Sequence, residues 1–276
     1  MATPFRDSVE AQALEACQDA DVEALRRCLA AGVDPNFLDP YQQCSLLFHA
    51  MLRAIHDAAA GCVCMSMLLE AGASVELGST EGCLNTPLYH CAGDTWPGYQ
   101  PIIEFLIKSG ANVNATGRAN LSPYQGGERA APESVLRRAA TGGPVATVKM
   151  LISAGAVDLD GALEAAVLHS YQRNCLPLLR AGAALPSWDP EPAPYGGWRW
   201  EELVPNFPQT RAYIERIRAA GGFKAYEKAH RQHLAAIFLA KFPVLPVEML
   251  ERIVEFSYNV AGPSNCPSIA PKYLLD

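Results

Sequence analysis

A leucine, two or three further residues and a glycine recur as a phrase five times between Leu29 and Ala183, and this recurrence constrains the fold most strongly. Each copy has the pattern of an amphipathic helix that ends at glycine, the residue that adopts the left-handed C-cap conformation at the lowest cost. A second apolar stretch precedes each copy. The predicted unit is therefore helix, short turn, helix, glycine and extended loop. The helix-ending glycines are Gly32, Gly72, Gly110, Gly155 and Gly182.

The third copy carries the most specific motif. Thr86 is a suitable N-cap and Pro87 a suitable first helical residue. These residues resemble the ankyrin repeat, whose signature opens with Thr-Pro-Leu-His and closes with Leu-Leu-x-x-Gly-Ala-Asp-Val-Asn. Tyr89 replaces the histidine, which leaves open how the loops are linked there. The matching residues are Thr86, Pro87, Leu88, Ala92, Leu106, Gly110, Ala111, Val113 and Asn114.

The resemblance covers residues 9–185 and implies an all-α fold, an ankyrin-repeat solenoid of five degenerate stacked helix pairs with short hairpin-like loops. The glycines are 40, 38, 45 and 27 residues apart, against about 33 for an ideal repeat. We expect the second pair to be long because its first helix extends to near Gly61. The turn at 93–100 should be slightly enlarged, 115–133 should be a surface loop, and 155–161 should be too short for a finger.

Three further segments follow the repeats. Residues 186–208 are rich in proline and tryptophan and are expected to form an extended strap, residues 209–262 a helical C-terminal extension that caps the array, and residues 263–276 an irregular tail. The extension resembles those of algal and protist ankyrin proteins. Residues 245–256 are similar to the opening of an F-box, and their position after repeats is similar to that of a SOCS box. Recruitment of a ubiquitin-ligase subunit is therefore an alternative to a simple cap.

Composition limits the partner and the compartment. The net charge is −7 and the pI about 5.4, which argues against nucleic acid as the main partner. No apolar run reaches the ~18 residues of a membrane span, and the N-terminus lacks the features of a secretory signal. Nine cysteines without framework spacing favour a reducing compartment. We therefore expect an intracellular monomer, in the cytoplasm or nucleus, with no nucleic acid and no membrane as partner.

An excess of basic residues near the C-terminus has two possible interpretations. Residues 211–241 contain seven basic and two acidic residues, so these helices could attract an acidic partner. The alternative is an ordinary solvated helix face. Asn36 and Asn114 occupy the turn position at which asparagine stabilises the loop; modification by ankyrin-directed asparaginyl hydroxylases is the alternative there.

Catalytic signatures are absent from the sequence. Cys62 and Cys64 are more consistent with buried cysteines than with metal ligands. We therefore predict no catalytic residue, no metal and no cofactor. The rival hypothesis is an enzyme with a pocket of polar groups around Trp198, Trp200, His230 and His233.

The function implied by the resemblance is that of a protein–protein interaction scaffold or adaptor, with a protein partner of unknown identity. Ankyrin repeats bind through finger tips and the concave faces of their first helices. The early repeats retain fingers of normal length, so we expect the contacts to lie there. Core packing remains an alternative for Tyr89. The expected contacts are Asp39, Tyr41, Gln42, Glu81, Tyr89, Trp96 and Tyr99.

Overall fold

The computed structural model describes residues 8–78, 85–117, 132–186 and 207–241, together with Pro246, Met249 and Arg252. The chain divides into two compact units, Met1–Ala162 and Leu163–Asp276, with the boundary inside a helix. None of the helices in the described residues is long and apolar enough to span a membrane.

The first unit is built from stacked helix pairs. The first helices α1, α3, α5 and α7 pack in succession, and the second helices α2, α4, α6 and α8 do the same beside them. The predicted all-α solenoid is therefore confirmed. The pairs are α1 (Val9–Asp19) with α2 (Val22–Ala30), α3 (Leu46–Ala54) with α4 (Ala58–Glu70), α5 (Pro87–Ala92) with α6 (Tyr99–Lys108), and α7 (Val135–Gly142) with α8 (Val145–Ser153). Helix α9 (Leu159–Leu168) contains the boundary between the two units, and α10 (Gln172–Ala181) lies in the second.

The five predicted helix-ending glycines all follow a second helix. Each adopts a positive φ, and the next residue donates its N–H to the carbonyl five positions back, which is the hydrogen bond of a Schellman motif. A Cβ on any of them would meet no atom within 4 Å. The requirement for glycine is therefore backbone conformation alone. The φ values are 89° at Gly32, 100° at Gly72, 89° at Gly110, 93° at Gly155 and 101° at Gly182.

The first helices begin with side-chain caps. Thr86 Oγ1 accepts a hydrogen bond from the N–H of Tyr89, and Pro87 is the first helical residue, as the sequence predicts. Equivalent serines cap the other first helices of this unit, because a hydroxyl satisfies one of the N–H groups that the helix leaves unpaired. They are Ser8, Ser45 and Ser134.

The expectation for Gly61 is corrected by the structure. Helix α3 ends at Ala54, and Gly61 lies inside α4, where the extra length of this pair is found. A Cβ at Gly61 would come within 2.4 Å of the Cα of Ala54. Gly61 therefore allows α3 and α4 to approach closely, and the N-cap that separates the two helices is Asp57.

The loop lengths agree with the sequence. Residues 93–98 connect α5 to α6, and only residues 156–158 lie between Gly155 and α9, so the fourth finger is absent. In the third finger the short strands β1 (Thr116–Gly117) and β2 (Glu133–Ser134) pair antiparallel, with Thr116 opposite Ser134. The segment between these strands lies largely outside the described residues.

Asparagines link alternate fingers to the next repeat. The Asn36 amide donates to the Gly72 carbonyl at 3.1 Å and accepts the Ser74 N–H at 2.8 Å. Asn114 makes the same pair of bonds to Gly155 at 3.3 Å and to Val157 at 2.9 Å. The asparagines thus stabilise the stack as well as their own turns.

The second unit contains α10 followed by α11 (Phe207–Ala219) and α12 (Phe223–Lys241). Helices α11 and α12 pack on each other, and Ile214, Ile217 and Leu234 are buried. An ion pair of 3.0 Å between Arg180 and Glu227 joins α10 to α12. The strap residues 187–206 lie outside the described residues.

Candidate partner-binding surface

The first finger, which is the loop of residues 31–45 between α2 and α3, is held by the buried carboxylate of Asp39. Asp39 is 2% exposed and accepts the backbone N–H groups of Tyr41, Gln42 and Cys44 at 2.9, 2.6 and 3.1 Å. Its Oδ2 also lies 2.9 Å from Nε2 of His49, which is itself buried. Four hydrogen bonds therefore converge on this carboxyl group, and they fix the turn in one conformation.

The charged form of Asp39 is favoured by these contacts. Burial alone would raise the pKa of Asp39, but the hydrogen bonds from Gln42, His49, Cys44 and Tyr41 outweigh it and hold the pKa below its usual value. The finger is thus fastened by an ionised carboxylate at neutral pH.

The tip of this finger presents two side chains to solvent. Tyr41 is 72% exposed and Gln42 is also exposed, although the backbone N–H of each is bound to Asp39. The next residue, Gln43, has a φ of 52°, a conformation that completes the tight turn. A partner would therefore meet an aromatic ring on a backbone that is already ordered, which lowers the entropic cost of binding.

Three of the predicted contacts are core residues instead. Asp39, Tyr89 and Tyr99 are 2%, 1% and 6% exposed, which corrects the expectation that they are surface groups. Asp39 faces inward because it supports the finger. The alternative of core packing for Tyr89 is the one that the structure shows. Glu81 lies outside the described residues.

Tyr89 links the third repeat to its finger. Its hydroxyl donates a hydrogen bond of 2.6 Å to Oε1 of Glu133 in β2. This answers how the loops are joined where the ankyrin signature has histidine. The guanidinium carbon of Arg138 lies 5.9 Å from the centre of the Tyr89 ring, so the ring also supports a cation on the neighbouring helix.

Trp96 is exposed but lies at the other end of the first helices. It is 56% exposed in the turn between α5 and α6. A Cβ at the nearby Gly98 would meet both Trp96 and the carbonyl of Ile55, the residue that follows α3. Tyr41 precedes α3, whose nine residues span about 13 Å at 1.5 Å per residue. Tyr41 and Trp96 therefore belong to opposite ends of the helices and do not form one patch.

The first helices of the second, third and fourth repeats contain no acidic residue. Helices α3, α5 and α7 carry arginine and histidine as their only ionisable side chains apart from cysteine and tyrosine. Charge totals over longer segments conceal this signal, and only a count helix by helix reveals it. The basic residues are His49, Arg53, His90, Arg137 and Arg138.

Three of these residues share equivalent positions. His49, His90 and Arg138 each come four residues after the helix cap, at Ser45, Thr86 and Ser134 respectively. Arg53 follows His49 by four residues, which places it on the same helix face. A row of basic groups thus follows the first helices from repeat to repeat.

The side chain of Arg138 lies against Gly93, where there is room for it. A Cβ at Gly93 would come within 2.4 Å of the Arg138 Nε and 2.9 Å of its stem, so the absence of a side chain at Gly93 makes room for it. The Nε atoms of both Arg138 and Arg53 are buried without a hydrogen-bond partner. Each residue as a whole is half-buried.

His90 lies beside this arginine and is half-buried. Its ring packs edge-on against Phe48 at 5.0 Å and Tyr99 at 6.3 Å. Burial lowers the pKa of His90, and the charge of Arg138 lowers it further, whereas Asp94 opposes the shift. The ring is therefore neutral near pH 7.

One group of described residues has the composition of a metal site, namely Asp39, Cys44 and His49, whose ligand atoms lie within 4.8 Å of one another. Hydrogen bonds already account for the arrangement, because Asp39 accepts four and the Cys44 thiol lies 3.4 Å from the carbonyl of Gln42. We therefore assign this group to the finger turn.

Among the described residues, the polar side chains of the other candidate sites do not come together in one pocket. Cys64 is buried and Cys62 half-buried on α4, and burial raises the pKa of both thiols. His230 stacks on Tyr226 with ring centres 6.1 Å apart, whereas His233 is exposed. Trp198 and Trp200, proposed as the other members of an enzyme pocket, lie outside the described residues. So does the F-box-like stretch, except for Pro246, Met249 and Arg252.

Comparisons with known proteins agree with this architecture. The family model described as ankyrin repeat matches residues 83–118. A solved ankyrin repeat domain from Acinetobacter baumannii AYE is 24% identical and has a TM-score of 0.50, with 75% of this chain and 94% of that chain covered. No curated protein matches the sequence. The motif at residues 83–118 is therefore an ankyrin repeat, and the stacked helix pairs have the fold of an ankyrin repeat domain.

Proposed function

We propose that this ankyrin-repeat chain is a scaffold or adaptor that binds a partner protein through its first finger and the adjoining faces of its first helices. Ankyrin repeats form protein–protein interaction modules, and they typically act as binding scaffolds rather than enzymes. The observation that carries the proposal is Tyr41, an aromatic residue 72% exposed on a finger that Asp39 holds in place. Exposed tyrosines on ordered backbone are frequent anchors of protein interfaces.

The proposed contact residues are Tyr41 and Gln42. The buried residues Asp39, Tyr89 and Tyr99 act indirectly, because they hold the finger and the repeat core. Trp96 is not included, since it lies at the opposite end of the first helices. A contact by Glu81 stays a prediction.

The alternative of a ubiquitin-ligase substrate receptor concerns the region 245–256. It is compatible with the same partner-binding surface, because repeats would select the substrate and the C-terminal residues would recruit the ligase. The described residues give no observation in its favour, so it stays a prediction.

Affinity capture with the intact chain tests the proposal. The tagged wild-type protein is compared with Tyr41→Ala and with Trp96→Ala, a control that removes another exposed aromatic residue from the other end of the helices. We expect Tyr41→Ala to lose the captured partner and Trp96→Ala to retain it, with melting temperatures within about 2 °C of the wild type for both. Equal retention by both variants, or loss only with Trp96→Ala, would contradict the proposal.

A further inference from the structure

The face of α3, α5 and α7 has a charge opposite to that of the whole protein. The chain has 29 acidic and 22 basic residues, yet these three helices contain arginine and histidine and no acidic residue. We infer that the partner presents an acidic peptide segment, and that Arg138 and Arg53 bind its carboxylates with His90 as a neighbouring donor. The inference rests on the proposed function and specifies the chemistry of the partner.

Acidic groups that flank these helices in the sequence are already engaged. Asp57, four residues after Arg53, accepts the N–H of Ala60. Glu133 accepts the Tyr89 hydroxyl, and Asp158 accepts the Ser134 hydroxyl and faces Arg137 at 3.7 Å. Asp94 accepts the N–H of Trp96. None of these carboxylates forms an ion pair with Arg138 or Arg53 in the described part of the chain.

The two arginines therefore have unused hydrogen-bonding capacity. Their Nε atoms are buried and lack a partner, an arrangement that is costly in a folded protein. The cost is relieved when the half-buried side chain turns to meet an acceptor at the surface. A guanidinium can bind a carboxylate through two parallel hydrogen bonds. An Asp or Glu side chain from a partner supplies the matching acceptor.

Arg138 is also positioned before the partner binds. Its stem crosses Gly93 and its guanidinium lies over the Tyr89 ring, while the Tyr89 hydroxyl is fixed by Glu133. Less side-chain freedom is then lost on binding, which favours affinity. His90 is neutral near pH 7 and contributes a ring N–H rather than a charge.

Arg137 offers a matched control on the same helix. It is adjacent to Arg138, and its buried Nε likewise has no hydrogen-bond partner, but this atom lies 3.7 Å from Oδ2 of Asp158, which balances its charge. If charge in general attracted the partner, the two arginines would contribute alike. If the partner binds a guanidinium that has no ion-pair partner in the chain, only Arg138 contributes strongly.

The basic hairpin α11–α12 is the competing surface for an acidic partner. Both of its glutamates are engaged by arginines, Glu215 by Arg218 at 2.7 Å and Glu227 by Arg180 at 3.0 Å. Lys224 and Lys228 are exposed there. The Nε of Arg231 on this hairpin is also buried, but Arg231 is paired with Glu227 at 3.5 Å. We use the two lysines as a second control.

The experiment selects peptides from a random twelve-residue display library on the immobilised full chain and measures their affinities by fluorescence anisotropy. We expect the selected peptides to be enriched in Asp and Glu. Arg138→Gln should weaken binding about tenfold or more, Arg53→Gln somewhat less, and Arg137→Gln less than about threefold. Replacing Asp and Glu in the best peptide by Asn and Gln should reproduce the loss of affinity.

Peptides without acidic enrichment, or acidic peptides that bind Arg138→Gln as tightly as the wild type, overturn the inference. So does loss of binding in Lys224→Gln/Lys228→Gln with none in Arg138→Gln, because the acidic segment would then bind the hairpin. Tyr41→Ala separates the two proposals. If Tyr41→Ala weakens binding and Arg138→Gln does not, the proposed finger site holds and the acidic partner fails; the opposite pattern retains the acidic partner and removes the finger.

Discussion

At the finger end of the first helices, the carboxylates of Asp39, Glu133 and Asp158 each accept a hydrogen bond from a side chain of the same chain. On the face of those helices, Arg138 and Arg53 have Nε donors without a partner. The polar groups of the first region stabilise the fold, whereas the arginines of the second region remain available to bind a partner. Substitutions in the first region should therefore change stability, and those in the second should change binding.

Asp39→Ala should produce the largest change. It leaves three backbone N–H groups and the buried His49 without their acceptor, so we expect a loss of about 3 kcal/mol in the free energy of unfolding. Urea denaturation followed by circular dichroism measures this. Asp39→Asn is the control, because its amide oxygen keeps part of the turn, and its loss should be smaller. A change below about 0.5 kcal/mol in Asp39→Ala would mean that this carboxylate does not hold the finger.

Low pH should also lower the free energy of unfolding, because it protonates Asp39. The loss should be smaller than in Asp39→Ala, because a protonated carboxyl group still accepts hydrogen bonds through its carbonyl oxygen. The pKa of Asp39 is lower in the folded chain than its usual value, since the hydrogen bonds that favour the carboxylate outweigh the effect of burial. Its contribution to stability is then complete above the unfolded pKa, near 4, and is lost as the pH falls through the folded pKa.

Urea midpoints measured between pH 6 and pH 3 test this effect. Asp39→Asn should show a shallower fall than the wild type, because the group that titrates is gone. Identical slopes for the two proteins would show that Asp39 does not contribute to the acid sensitivity.

Tyr89→Phe should cost about 1–2 kcal/mol. The substitution removes the hydroxyl that donates to Glu133 at 2.6 Å but keeps the ring that packs in the core and under Arg138. Thermal unfolding measures the difference. Because the ring is retained, peptide binding should change little, and a large loss of affinity with unchanged stability would place Tyr89 in the interface instead.

The smallest effects on stability should come from the helix face. Arg137→Gln breaks a partly exposed ion pair with Asp158 and should cost about 0.5–1 kcal/mol, whereas Arg138→Gln should change the free energy of unfolding by less than about 0.5 kcal/mol. For peptide affinity the order should be reversed, with a larger loss in Arg138→Gln than in Arg137→Gln. Equal effects of both on stability and on binding would remove the distinction between the two regions.

Local rules explain what the sequence predicts correctly. A helix-ending glycine needs only a positive φ, and Thr86 needs only the N–H of Tyr89, three residues away. The missing fourth finger follows from the short spacing between Gly155 and Gly161. In each case the determining atoms lie within a few residues, so the pattern of residues is sufficient.

Contacts between distant residues explain what the sequence does not predict. Gly61 fits the pattern of a helix end, but it is required inside α4 because the backbone of Ala54 lies against it. The hydroxyl of the buried Tyr89 is satisfied only because Glu133, 44 residues further along the chain, accepts it. Arg138 and Arg137 are adjacent and identical in type, and only the position of Asp158 distinguishes them.

The most direct measurement is an NMR titration of the ¹⁵N-labelled full chain with the tightest acidic peptide from the selection. We expect the largest amide shift changes at Tyr41 and Gln42 on the first finger and near Arg53, His90 and Arg138, while Trp96 and the hairpin α11–α12 remain unchanged. Shift changes confined to the turn around Trp96 or to α11–α12, with none at the finger or the face of the first helices, would contradict it.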